Sequence, residues 1–187
     1  MRRHDSGLTL VEMLVASLIL SVVLIAVAGM MISMFAAQRT VSAVTQATTA
    51  AQAAASNIAT GVRNASDLSL TTPSGTTNQL LVVRTANNDV NTLTWSCKAW
   101  YFSSTDGSIR TKTTANGTKI TAPAADQLAT WTVLVDDVTP RSGAGIFTAV
   151  AGGIEIAYDA QISEGDPVVI QTTATKRSGV TEAGTCF

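Results

Sequence analysis

Gly7-Leu8-Thr9-Leu10-Val11-Glu12-Met13 leads into an uncharged run of 23 residues, Met13 to Phe35, and this stretch decides how the chain is organised. A helix of that length rises ~35 Å, enough to cross a bilayer hydrocarbon core of ~30 Å. Arg2 and Arg3 precede the run, only Arg39 lies near its far end, and the next basic residue is Arg63. Positive charge on the short side is retained in the cytoplasm, so the N-terminus is expected inside and the remainder exported. Glu12 does not suit a plain anchor. A charged side chain at membrane depth costs ~2.5–3.5 kcal/mol on insertion scales, so it either has a partner or sits close enough to the headgroups to be solvated. Ala26-Val27-Ala28 offers an ordinary signal-peptidase site. The apolar region before it is longer than the roughly 7–15 residues of a signal peptide, contains Glu12, and continues past the cut.

The segment from Arg2 to Met13, with Gly at the junction, a Thr-Leu-Val-Glu run and an unbroken apolar helix after it, resembles the processing site of type IV prepilins and type II secretion pseudopilins. The resemblance implies cleavage after Gly7 by a membrane prepilin peptidase and methylation of the new amine of Leu8. It also implies that Glu12, then the fifth residue, pairs with the N-terminal amine of a neighbouring subunit. The physics agrees: an unpaired carboxylate in low dielectric is costly, and a facing ammonium compensates it. Leu8 stands where most members have Phe, and Asp5 is unusual in a leader. Gly29 falls where many family helices carry Pro or Gly. It lowers helix propensity by ~1 kcal/mol relative to Ala, which favours local melting there.

The whole chain has 187 residues, 13% of them charged, a net charge of −1 and 46% hydrophobic residues. That suits one domain plus a long element. It excludes a basic nucleic-acid binder and an acidic disordered chain. Mean hydropathy is +0.28, and most of the excess lies in the first 37 residues. One histidine, His4, and two cysteines exclude a four-ligand Cys/His zinc site and most His-based catalysis.

Beyond Phe35 the chain is rich in Ala, Thr and Gln as far as Asp67. Val41, Val44, Thr48, Ala51, Ala55, Ile58 and Val62 recur in steps of three and four, a helical stripe. It is too Ala-rich, and too poor in flanking charge pairs, for a coiled coil. The expectation is one helix over 8–67, with residues 8–35 in a membrane or filament core and amphipathic residues 36–67 packed on a sheet. Asn64–Asp67 ends it, and Thr71–Gly75 reads as a loop. Strands are expected at 79–85, 92–102, 108–113, 128–135, 145–150, 153–162 and 167–175. Asn87–Asp89, Asp106-Gly107 and Asn116-Gly117 read as turns. In the second strand Trp95, Cys97, Ala99 and Tyr101 share one face while Trp100 and Phe102 share the other, so both faces are expected to be covered. The fold class is α+β: a long N-terminal helix packed on a mainly antiparallel β domain, residues 78–187, behind a leader of residues 1–7.

The order Trp95, Tyr101-Phe102, Asp106-Gly107, Ile109-Arg110, Val133–Val138, Phe147 and Ile154–Tyr158 resembles the globular domain of larger minor pilins and J-type minor pseudopilins, over about 80–175. Cys97 and Cys186 lie 89 residues apart, and in an exported domain a disulfide is the natural reading. The alternative is a buried Cys97 with a free thiol at Cys186. Asp136-Asp137, Glu155 with Asp159, and Glu164 with Asp166 cluster by sequence. Calcium is bound by loop acids in some members of the resembled family, but these runs lack the ligand spacing of a calcium loop and read as solvated acids. No catalytic residue, metal site or cofactor is expected. Trp95, Trp100, Tyr101 and Trp131 read as core and sheet-face residues. Asn64-Ala65-Ser66 and Asn116-Gly117-Thr118 match glycosylation acceptors, frequent by chance in so Thr- and Asn-rich a chain.

These readings combine into a structural subunit, by size a minor one, of a pilus or secretion pseudopilus. Its expected partners are the prepilin peptidase, other pilin-type subunits and the cytoplasmic membrane, with no nucleic acid contact. The competing reading is an exported β domain that binds a ligand and is anchored by an uncleaved helix.

Overall fold

The computed structural model describes residues 9–89, 92–115, 118–143, 145–162, 165–177 and 186–187. The chain divides into two compact units, Met1–Ser42 and Ala43–Phe187. Helix α1, Leu10–Arg63, supplies all the regular structure described in the first unit and continues into the second.

In the first unit the helix exposes Leu10, Leu14, Leu18, Ile25, Ile32 and Phe35. Its mean hydropathy reaches 2.7 over an 18-residue window, long and apolar enough to cross a membrane. The three hydroxyls in the apolar run are each satisfied locally. Ser17 donates to the Leu14 carbonyl at 2.9 Å, Ser21 to that of Ser17 at 2.8 Å, and Ser33 to that of Gly29 at 2.9 Å. Such back-bonding removes the cost of bare hydroxyls in hydrocarbon.

The second unit is two antiparallel sheets and the last turns of α1. The first sheet has the order β1 (Ala65–Thr71), β2 (Gln79–Asp89), β3 (Thr92–Ser103), β4 (Ser108–Ala115), β5 (Thr132–Val135). The second is built on β8 (Gly153–Ala160). Strand β9 (Val168–Thr175) covers one edge of β8. Strands β7 (Phe147–Val150) and β6 (Val138–Pro140) share the other, β7 on residues 153–156 and β6 on 158–160.

The expected stripe is buried from Ala51 on: Ala51, Ala55, Ile58 and Val62, joined by Ala54 and Ala59. It packs against Leu81, Val83, Trp100 and Phe102 of the first sheet and Ile154, Ile156 and Tyr158 of the second. Val41 is exposed. Three polar links lock this core. The Tyr158 hydroxyl donates to the Ala51 carbonyl at 2.7 Å, and burial raises its pKa above the ordinary phenol range. Trp100 Nε1 donates to Asn57 Oδ1 at 3.0 Å. The buried Gln79 amide pairs with the Phe147 backbone, donating to its carbonyl and accepting from its N–H, both at 2.8 Å, and so extends a ladder from sheet to sheet.

Two glycines are set by close approach. A Cβ at Gly61 would overlap Trp100 Cη2 and lie 2.7 Å from Cζ2. One at Gly145 would overlap the Gln79 amide.

As expected, β3 is covered on both faces. Trp100 and Phe102 face the helix-side core, while Cys97, Ala99 and Tyr101 join Leu80, Val82, Ile120, Trp131 and Cys186 in a second cluster.

Several boundaries differ from the sequence expectation. The helix ends at Arg63 rather than running to Asp67, because Ala65–Thr71 pairs with β2 as an edge strand. Asn87–Asp89 is strand, not turn, with Asp89 opposite Thr92. The expected strand at 128–135 begins only at Thr132, since Ala125–Thr130 forms a 3-10 helix. Val138–Pro140 is a further short strand. The Asn116-Gly117 turn lies outside the described residues.

Candidate functional site

The N-terminal residues on which the functional expectation rests fall at and before the start of α1. Gly7 and Leu8, the expected cleavage and methylation positions, lie outside the described residues. Thr9 is the last residue before the helix, and Glu12 sits in its first turn. The Glu12 N–H donates to the Thr9 carbonyl at 3.0 Å and to Thr9 Oγ1 at 3.3 Å, while Met13 N–H donates to the Thr9 carbonyl at 3.2 Å. Thr9 therefore caps the helix and satisfies an otherwise orphaned amide. Thr9-Leu10-Val11-Glu12 has the spacing of a capping box, a signal present in the sequence that the reading above did not use. Glu12 is also placed where the positive end of the helix dipole favours an anion. Its side chain is exposed, and among the described residues no cation pairs with it.

The two expected disulfide partners are brought together. Cys97 in β3 and Cys186 are bonded, with Cα atoms 5.5 Å apart and both residues fully buried. The Ile120 N–H donates to the Cys186 carbonyl at 3.4 Å, so the chain end is also held by backbone.

Among the described residues the acids do not assemble into one site. Glu155 accepts from Gln171 Nε2 at 3.0 Å, and Asp159 pairs with Arg141 at 3.2 Å. Asp136, Asp137 and Asp166 are exposed, and Glu164 lies outside the described residues. Among the described residues no three His, Cys, Asp or Glu side chains gather as metal ligands. Asp106 and Asp137 do line a groove of about 430 Å³ with Phe102, Val138 and Pro140. A general acid in such a groove must hold a proton near neutral pH. Asp106 does the reverse. Partial burial pushes its carboxyl up, but hydrogen bonds from Ser103, Ser108 and Arg110 outweigh that and hold it below the usual aspartate range. Arg110 meets it at 2.8 Å.

Of the aromatics, Trp100, Tyr101 and Trp131 are buried. Trp95 is half-buried under the Arg84 guanidinium, 3.9 Å from its ring centre.

A long apolar helix leading into antiparallel sheets, with a capped N-terminus carrying an acid in its first turn, is a pilin-like α+β arrangement. Residues 2–28 match the prokaryotic N-terminal methylation motif. That motif is the signature of type IV prepilins and pseudopilins, and it supports a protein of that type, a structural rather than an enzymatic one, anchored through the helix. Neither the curated proteins nor the solved structures searched gave a match to the chain.

Proposed function

We propose that the chain is a prepilin-type subunit, cut after Gly7 by a prepilin peptidase, methylated at Leu8, and assembled through α1 into a pilus or secretion pseudopilus. The observation that carries this reading is the methylation motif over residues 2–28, continuous with a helix whose apolar side chains are exposed. Exposed apolar surface on this scale calls for a lipid or protein surround. Residues 8–35 serve first as the membrane span, cytoplasmic at the N-terminus with the β domain exported, and then as the filament-core segment.

Glu12 sets register. Among the described residues its carboxylate has only the helix end to stabilise it. A neighbouring Leu8 ammonium compensates the charge in a low-dielectric surround, and a subunit out of step leaves it bare. The β domain, with its own disulfide and buried tryptophans, suits a minor subunit that primes or caps a filament.

The test is Glu12→Ala and Gly7→Asp in the producing cells. The proposal expects both variants to remain in the membrane and out of sheared filament fractions, with Gly7→Asp also keeping its leader. Glu12→Ala subunits entering filaments at the normal level would refute the register role. The anchored binding protein predicts an intact N-terminus and indifference to Glu12→Ala.

A further inference from the structure

Lys98 is a half-buried cation on strand β3 of the β domain. Arg110 pairs with Asp106, Arg141 with Asp159, and Lys176 with Asp67. Lys98 has no carboxylate within ion-pair distance among the described residues. It lies on the helix-facing side of β3, its Nζ 5.1 Å from the centre of the Trp100 ring. Burial lowers its pKa, the sign of a cation partly stripped of water without an anion in exchange.

It borders an open groove of about 540 Å³ between α1 and the β2–β3 strands, lined also by Ser56, Asn57, Thr60, Asn64 and Thr85. Asn57 spends its carbonyl oxygen on Trp100 Nε1, which leaves its amide hydrogens as donors. The groove thus presents one ammonium and several neutral polar groups, and no acid: a receptor for a carboxylate.

The complementary group lies elsewhere on the same domain. Asp136 and Asp137 are adjacent and exposed, the one such acidic pair among the described residues. They occupy the turn after β5, where Val138 N–H bonds the Gly107 carbonyl at 2.7 Å. Along β4, Lys98 sits opposite Thr113 and Val135 opposite Ile109. Four residues of strand, roughly 13 Å, separate the two rows before the turn begins. Lys98, midway along β3, is therefore too far from the acidic turn to pair with it within one copy.

We propose that the Lys98 groove receives the Asp136–Asp137 turn of a second copy of this chain, a head-to-tail contact between β domains. The two patches differ, so the contact is heterologous, and repeated without ring closure it generates an open helical array. This rests on the assembly reading above, but it concerns a contact outside the apolar segment 8–35 of the helix.

The experiment is zero-length carbodiimide coupling of the full chain solubilised from membranes, prepared as an equal mixture of ¹⁴N- and ¹⁵N-labelled protein. Mass spectrometry of the digest then shows which carboxyl is joined to Lys98. The expected product is an amide from Lys98 Nζ to Asp136 or Asp137 in peptides of mixed isotope. It should be lost in Lys98→Glu and in the double variant Asp136→Lys with Asp137→Lys, and coupling should return with reversed polarity when all three changes are combined. Lys98 joined to other carboxyls, joined only within one copy, or not joined at all overturns the proposal.

The same preparations are read for the Leu8 terminus and for Glu12-dependent assembly. If those hold while the link is missing, the contact alone fails. If the link forms on a chain that keeps Met1, the assembly reading fails and the self-contact stands.

Discussion

Gly61→Ala should destabilise the β domain, although in most helices the same change is favourable. Removing Gly from a helix interior gains about 1 kcal/mol of propensity. At Gly61 the new methyl would overlap Trp100 Cη2 and approach Cζ2 at 2.7 Å. Trp100 is fully buried, and its Nε1 is committed to Asn57 at 3.0 Å. Either the ring shifts and strains that hydrogen bond, or the helix lifts from the sheet. Overpacking of this kind costs typically 1–3 kcal/mol, and weakening the hydrogen bond adds about 1 kcal/mol. Set against the propensity gain, the net loss is about 1–3 kcal/mol. For a unit of this size that lowers the midpoint of thermal unfolding by roughly 3–10 °C.

The assay is unfolding of the full chain in detergent, followed by tryptophan fluorescence. Gly29→Ala is the control, since nothing lies within 4 Å of the added methyl there, and it should leave the β-domain transition in place. Trp100→Phe, with its smaller ring, should absorb much of the Gly61→Ala penalty, giving a coupling of about 0.5–3 kcal/mol in a double-mutant cycle. A rise in the midpoint for Gly61→Ala, or strictly additive effects in the cycle, would refute the packing argument.

Gln79→Leu leaves the buried Phe147 N–H and carbonyl without their 2.8 Å partners and should cost about 2–5 kcal/mol by chemical denaturation. Tyr158→Phe should cost about 1 kcal/mol through loss of the bond to Ala51. It should also change the alkaline limb. Because burial raises the Tyr158 pKa, the unfolded chain ionises first as pH passes about 10, and wild-type stability falls from there upward while the variant's falls less. Cys97→Ser with Cys186→Ser should lower stability by about 2–5 kcal/mol, measurable as a matching shift on reduction of the wild type.

The parts legible in the sequence are those with a strong period or a specific motif. The 23-residue uncharged run and the three-four stripe through Ala51, Ala55, Ile58 and Val62 define α1 by themselves. The alternation of Cys97, Ala99 and Tyr101 against Trp100 and Phe102 announces a strand buried on both faces. Strand β1 was not legible, because Ala65-Ser66-Asp67-Leu68-Ser69-Leu70-Thr71 has only one β-branched residue and owes its extension to pairing with β2. The division into two sheets was equally hidden. It depends on β8 pairing with three strands at once and on the Gln79 amide reaching a residue 68 positions away. Gly61 could be read only as a helix weakness until Trp100 was seen against it. At the N-terminus the motif was plain. The Thr9 cap was written in the Thr-x-x-Glu spacing and needed only to be read as a helix start.

The most direct test of the central claim is the N-terminal residue and intact mass of the protein purified from its own cells. The account predicts a chain beginning at N-methylated Leu8, lighter by the seven-residue leader and heavier by one methyl group. A chain that still begins at Met1 in cells with an active prepilin peptidase, or one that begins at Gly29, would contradict it.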